Sequence, residues 1–293
     1  MISRFLEALG ERLSERSAAL AFTPAFLFWG GGALILAGRY GPRATWEWLA
    51  RLTPAEQVLL LALVLFLLLL STAVAGRLRY PLLRLLEGYW PGPLRQLSVL
   101  LGKAQARRLQ QRRLQWNQLK AKEKQGDLSP AERRLLAELD LKNHYYPADE
   151  DDCLPTALGN ALRSAETAVW HRYGLDAVAI WPYLWLLLPE SVQKELSAAR
   201  SQLDTLVELW FWGFLFLVWT ALWPWAALIA LVWMGLAYRF AVEAARTFAD
   251  LFLAAFTLHR FALYDALGWP RPSPEENEAA RGARLSEYLW RGF

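Results

Sequence analysis

Three kinds of metal-ligating residue fall within ten positions of one another: His144, the acidic run Asp149-Glu150-Asp151-Asp152, and Cys153. Tetrahedral zinc sites draw on several Cys or His at set spacings, and this stretch supplies one of each. Its carboxylates could offer oxygens to Mg²⁺ or Ca²⁺. A run of acidic residues in a polar, Pro-containing stretch (143–155) reads first as a solvated loop, so no metal is assigned. Catalysis finds less support still. The chain has three His and one Cys, and it contains no G-x-S-x-G, P-loop or Gly-rich dinucleotide turn. Gly30-Gly31-Gly32 sits inside an apolar run, where missing side chains allow close helix packing or a bend. The expectation is a protein that is not an enzyme and uses no cofactor. With a single cysteine it forms no intramolecular disulfide.

Two other groups of polar residues have spacings that suit binding. Asn160 and Arg163 lie one helical turn apart, with Glu166 on about the same face. Such a stripe could contact a ligand or a neighbouring subunit, or it could merely cap the adjacent turn. Arg107, Arg108, Arg112 and Arg113 crowd one stretch together with Lys103 and Lys120. They could attract anionic lipid or another anion, or form a solvated helix face. Nucleic acid is disfavoured, because Trp116 alone gives little of the aromatic interleaving that base stacking needs.

These groups hang on a strongly apolar chain. Of its 293 residues, 55% are hydrophobic, with 16 Trp, 14 Phe and 10 Tyr; soluble domains run at about 45–50%. Residues 17–38 carry no charge, and neither do 57–76, centred on LLLALVLFLLLL. At about 1.5 Å per residue each reaches roughly 30 Å, the thickness of the hydrocarbon core. A third uncharged stretch, 209–238, is interrupted by Trp223-Pro224-Trp225 and is expected to form a tight hairpin there rather than one long kinked span. Its Trp212, Phe216, Trp219 and Trp223 form an aromatic stripe that could constrict a pore, or pack against helices or lipid. Four membrane-spanning helices in two hairpins follow, in an all-α protein. The span interiors offer only Thr23, Ser71, Thr72 and Thr220 as polar side chains, so an ion-coupled carrier, which needs ionisable groups at depth, is disfavoured.

Lys and Arg counts beside the spans set the orientation. Arg77, Arg79 and Arg84 follow the second span, and Arg239 and Arg246 follow the fourth, whereas 39–56 holds three and 222–225 none. Both termini and the insertion are therefore expected on the cytosolic side of a bacterial inner membrane. The expected organisation is an amphipathic helix at 1–16, a first transmembrane hairpin at 17–76, a cytosolic helical insertion at 77–204, a second hairpin at 205–240, and a helical extension with a tail at 241–293. The insertion is polarised. Residues 77–143 hold fifteen Lys/Arg against six Asp/Glu, a net of +9, and 144–204 hold four against nine, a net of −5. Within it, helices are expected at about 94–124, from Ser129-Pro130 onward, at 156–173 closed by Gly174, and from Pro189-Glu190 into the third span; the apolar run 177–188 is too short to cross and is broken by Pro182.

Leu154-Pro155-Thr156-Ala157-Leu158-Gly159-Asn160, then Arg172-Tyr173-Gly174-Leu175-Asp176 and Trp181-Pro182, resemble a family of uncharacterised bacterial membrane proteins with four spans, found in actinobacteria and cyanobacteria among others. His259-Arg260 through Leu267-Gly268-Trp269-Pro270 is similar to their C-terminal part. The family has no assigned function, so the resemblance implies a structural module at 154–189 and no activity. From the residues themselves, two functions stand open. One is a homo-oligomeric channel with the insertion as vestibule or sensor, suggested by spans that run on into cytosolic helices. The other is a non-conducting scaffold that recruits a cytosolic protein. Membrane lipids are partners in either case.

Overall fold

Long apolar runs with few breakers propagate as helices, and the described part of this chain is helix almost throughout. The structure is a computed structural model that describes residues 24–273 and 276–292. The helix expected at 1–16, and the first residues of the span at 17–38, lie outside the described residues. Ten α-helices follow in order: α1 Pro24–Tyr40, α2 Pro42–Arg51, α3 Pro54–Glu87, α4 Leu94–Gln125, α5 Pro130–His144, α6 Ala157–Tyr173, α7 Ala177–Leu187, α8 Glu190–Phe216, α9 Ala226–Ala266 and α10 Glu278–Arg291. There is no strand among the described residues. Three helical segments, Pro54–Glu87, Glu190–Ala221 and Ala226–Ala266, are long and apolar enough to cross a membrane. The described part of the first expected span is the 17-residue α1.

The chain divides into two compact units, one comprising residues to Leu82 together with Thr205–Arg239, the other Leu83–Asp204 together with residues from Phe240 onward. The first unit is built on aromatic packing. Phe28 of α1 lies 5.5 Å from Trp212, 6.5 Å from Phe216 and 5.6 Å from Trp219, ring centre to ring centre. Glycine makes room for these rings. A Cβ at Gly31 would press on Phe216, and one at Gly32 would overlap the Trp219 indole. On the other side of α8, Gly213 lets the backbone approach Met234 of α9, beside the fully buried Ala226 and Ala230. Ser71 and Thr72 donate to the Leu68 carbonyl within α3, and Trp29 Nε1 donates to Ser71 Oγ at 3.3 Å. Buried Glu208 is matched by the Arg79 guanidinium at 2.7 Å, which removes the cost of an unpaired buried carboxylate.

The second unit has its own core, in which Val169, Leu175, Ile180, Leu184, Phe256 and Tyr264 pack together. Its helix ends follow the capping chemistry. Ser129 and Glu132 form a capping box ahead of α5, Thr156 caps α6, and Asp176 Oδ1 accepts from Val178 and Ala179 at the start of α7. Three expectations change. Pro182 does not break the run at 177–188; α7 continues through it, at the loss of one backbone bond, because the fully buried Ile180 and Leu184 bracket it in the core. The loop at 39–56 contains α2, started by Gly41 at φ 93° and Pro42 in the first turn. The tail expected after the helical extension contains α10, which packs against α6 and α7.

The glycine contacts predict a graded response to added methyl groups. Gly32→Ala must displace Trp219, an overpacking cost of about 1–3 kcal/mol. Gly38, whose Cβ would meet nothing, should accept Ala and gain about 0.5–1 kcal/mol from helix propensity. Thermal unfolding of the purified variants in detergent checks this, with Gly32→Ala expected to melt lower and Gly38→Ala at or above the parent.

Candidate functional site: the joint at the end of α3

The last turn of a helix leaves carbonyl groups without partners, and α3 closes its own with a Schellman pattern. Tyr89 N–H donates to Arg84 O at 3.0 Å and Gly88 N–H to Leu85 O at 3.1 Å, with Gly88 at φ 106°, a left-handed backbone that glycine adopts without strain. The Glu87 carbonyl accepts from the Thr156 hydroxyl at 2.9 Å. That same hydroxyl accepts from Gly159 N–H at 3.0 Å as the cap of α6. One side chain thus ends one helix and begins another. The two backbones touch directly: a Cβ at Gly159 would overlap Glu87 O, and one at Gly88 would overlap the Pro155 ring.

Asn160 fixes the approach segment. It is fully buried, its Oδ1 accepts from Leu154 N–H at 2.7 Å and its Nδ2 donates to Leu154 O at 2.9 Å. The Leu154-Pro155-Thr156…Gly159-Asn160 pattern is thereby accounted for residue by residue, with Asn160 holding Leu154, Pro155 lying on Gly88, Thr156 bridging and Gly159 giving clearance. Arg163 turns the other way and ties Asp152 at 2.7 Å to Glu166 at 3.2 Å. Asn160 is therefore not joined to Arg163 and Glu166 in one surface stripe. A cavity of about 90 Å³ lies beside the joint, with Arg84, Glu87, Arg163, Glu166 and Arg200 in its wall. Its space suits a few ordered waters. Arg84 pairs with Glu87 at 3.0 Å while stacking over Tyr89 at 3.5 Å.

The remaining candidates are dispersed. Arg113 donates to the carbonyls of Pro147 and Ala148, at 2.7 and 2.6 Å, and Arg112 stacks over Tyr146 at 4.2 Å. Half of the arginine group is thus spent holding the 146–148 segment, while Arg107 and Arg108 are exposed. The His144–Cys153 stretch does not converge. His144 pairs with Asp250 at 2.9 Å, Asp149 with His171 at 3.1 Å and Asp152 with Arg163. No group of three or more potential metal ligands forms among the described residues. Trp212 and Phe216 are buried and Trp219 is partly so, all three against Phe28, while Trp223 is exposed. The pairings of His171 and Asp250, and the joint at Glu87 and Gly88, carried no signal in the sequence beyond Gly88 itself, a helix-stop residue placed before Trp90-Pro91. No family model matches the chain, and no curated protein or solved structure is found similar to it.

Two outcomes follow from this geometry. Asn160→Ala strands both the N–H and the carbonyl of Leu154 in a partly buried place, at up to about 1–3 kcal/mol for each group left unpaired, so its unfolding midpoint in detergent should fall below that of Arg107→Ala. Burial pushes the Cys153 thiol up to about 11 from its ordinary value of 9. The thiolate is the reactive form, so alkylation at pH 8 should run about a hundredfold slower than for an exposed cysteine, and denaturant should restore the ordinary rate. Fast labelling of the native protein would contradict that placement.

Proposed function

We propose that this is a four-span protein of a bacterial inner membrane, with two hairpins and both termini cytosolic, acting as a non-conducting scaffold whose cytosolic module receives a protein partner. One observation carries this reading: Trp212, Phe216 and Trp219, three of the four residues expected to constrict a pore, are consumed in packing against Phe28 and the Gly31-Gly32 surface of the same chain, and Trp223 alone of the four is exposed. The hydroxyls of Ser71 and Thr72 are likewise turned back onto their own helix, so they offer no path for ions. The hairpin is supported by the reversal at 222–225 and by the contact of Gly213 with Met234, which stand at similar distances on either side of it. Helices α3, α8 and α9 each run on in sequence from an apolar stretch into residues of the module.

The second reading, a homo-oligomeric channel with the module as vestibule or sensor, is favoured by α3. Almost none of its apolar window is buried within the chain, leaving a full face for lipid or for further copies. Reconstitution in liposomes separates the two. The scaffold reading expects no ion flux above protein-free vesicles, from the parent and from Trp219→Ala alike. A unitary conductance that changes with Trp219→Ala, from a ring of identical subunits, would establish the channel instead. A reporter fused at Gly268 should read cytosolic; a periplasmic reading would leave 209–238 as a single kinked crossing.

A further inference from the structure

A groove of about 620 Å³ opens on the first unit between α1, the turn after α8 and the start of α9. Its wall changes character along its length. Gly31, Leu34, Ile35, Phe216 and Ile229 line it with apolar surface, and Leu222 and the exposed Arg39 and Trp223 complete the lining. Two glycines seven residues apart, close to two helical turns, fall on this face of α1. Gly31 is filled from across by Phe216, but a Cβ at Gly38 would meet nothing, so no side chain fills the space there. Arg39 spends one contact on the Leu222 carbonyl, at 3.5 Å. A guanidinium has five N–H donors, so most of its capacity stays available.

We infer that this groove binds one anionic phospholipid, an acyl chain lying along Gly38, Leu34 and Ile35 and the phosphate meeting Arg39. The volume falls within the range of sites that enclose a small ligand, about 300–1,000 Å³. Apolar walls ending at one unopposed positive charge match an amphiphile with a negative head; no carboxylate is among the lining residues. The exposed Trp223 is the side chain expected at the level of the headgroups. The inference is independent of the scaffold reading, since it concerns a lipid held by the first unit and not a protein met by the second.

Native mass spectrometry of the full chain, delipidated and then mixed with phosphatidylglycerol or phosphatidylcholine, tests it. One phosphatidylglycerol should be retained per chain, in preference to phosphatidylcholine by about tenfold. Arg39→Gln should erase that preference while leaving lipid retention itself. Gly38→Leu, which fills open space and should leave the melting temperature at or above the parent's, should abolish retention of both lipids, and Leu34→Trp, one turn earlier on the same helix, should do the same. Arg107→Gln with Arg108→Gln should change nothing. The inference is overturned by a parent that retains no lipid, by an unaltered preference in Arg39→Gln, or by retention that survives both filling variants. It is equally overturned if the filling variants dissociate a dimer, which makes a second copy the occupant.

Discussion

The second unit depends on how the carbonyl end of α3 is closed. A helix that stops inside a packed structure must have its last carbonyls answered, and here the answer comes from the first residue of another element. Thr156 donates to Glu87 O and caps α6 with the same oxygen, so neither helix end is complete without the other. The contact requires the two backbones to be closer than side chains permit, which is why Gly88 and Gly159 stand on its two sides. Leu154 cannot drift from this position because both of its backbone groups are held by the buried Asn160.

The far end of α6 uses the same device. A Cβ at Gly174 would overlap Ala279 O, and one at Gly282 would overlap Tyr173 O, so α10 crosses the end of α6 backbone to backbone. Ser286 fastens the crossing, donating to Gly282 O and accepting from Asp176 N–H, while Trp290 Nε1 reaches the Asp176 carboxylate at 3.2 Å. Asp176 in turn caps α7. A short chain of shared hydrogen bonds thus runs from α3 through α6 to α7 and α10. Because each link both ends one element and starts or positions the next, loosening one would be felt along the series, whereas a surface pair such as Lys194 and Glu190 affects little beyond itself.

What could be read in advance was mainly the local chemistry. Ser129-Pro130, Thr156 with Gly174, and the apolar windows all point to the elements that form, because caps and hydrophobic length act over a few residues. The reading of Asn160, Arg163 and Glu166 as one stripe illustrates what cannot be carried further. At about 100° per residue, positions three apart drift by about 60° each time, so across two such steps the stripe has wound off its starting face, and Asn160 turns inward while Arg163 and Glu166 stay at the surface. The C-terminal helix was equally opaque. Its charged composition suits a tail, and the two small residues that tie it down, Gly282 and Ser286, have meaning only once Tyr173 and Gly174 are seen opposite them.

The aromatic stripe shows the same limit in the first unit, and it bears most directly on function. Periodicity places Trp212, Phe216 and Trp219 along one side of a helix, and a lumen, lipid or a neighbouring helix would each accept such a side. What decides between them is the complementary surface. Gly31 and Gly32 remove side-chain volume from α1 where Phe216 and Trp219 enter, and Phe28 supplies a ring within 6.5 Å of all three. A surface hollowed to receive these rings commits them to packing, because withdrawing them to open a pore would empty the hollow and forfeit the dispersion attraction across it. The glycine cluster and the aromatic stripe are therefore one feature divided between two helices, and the stability of that fit is the reason to seek the function in the module.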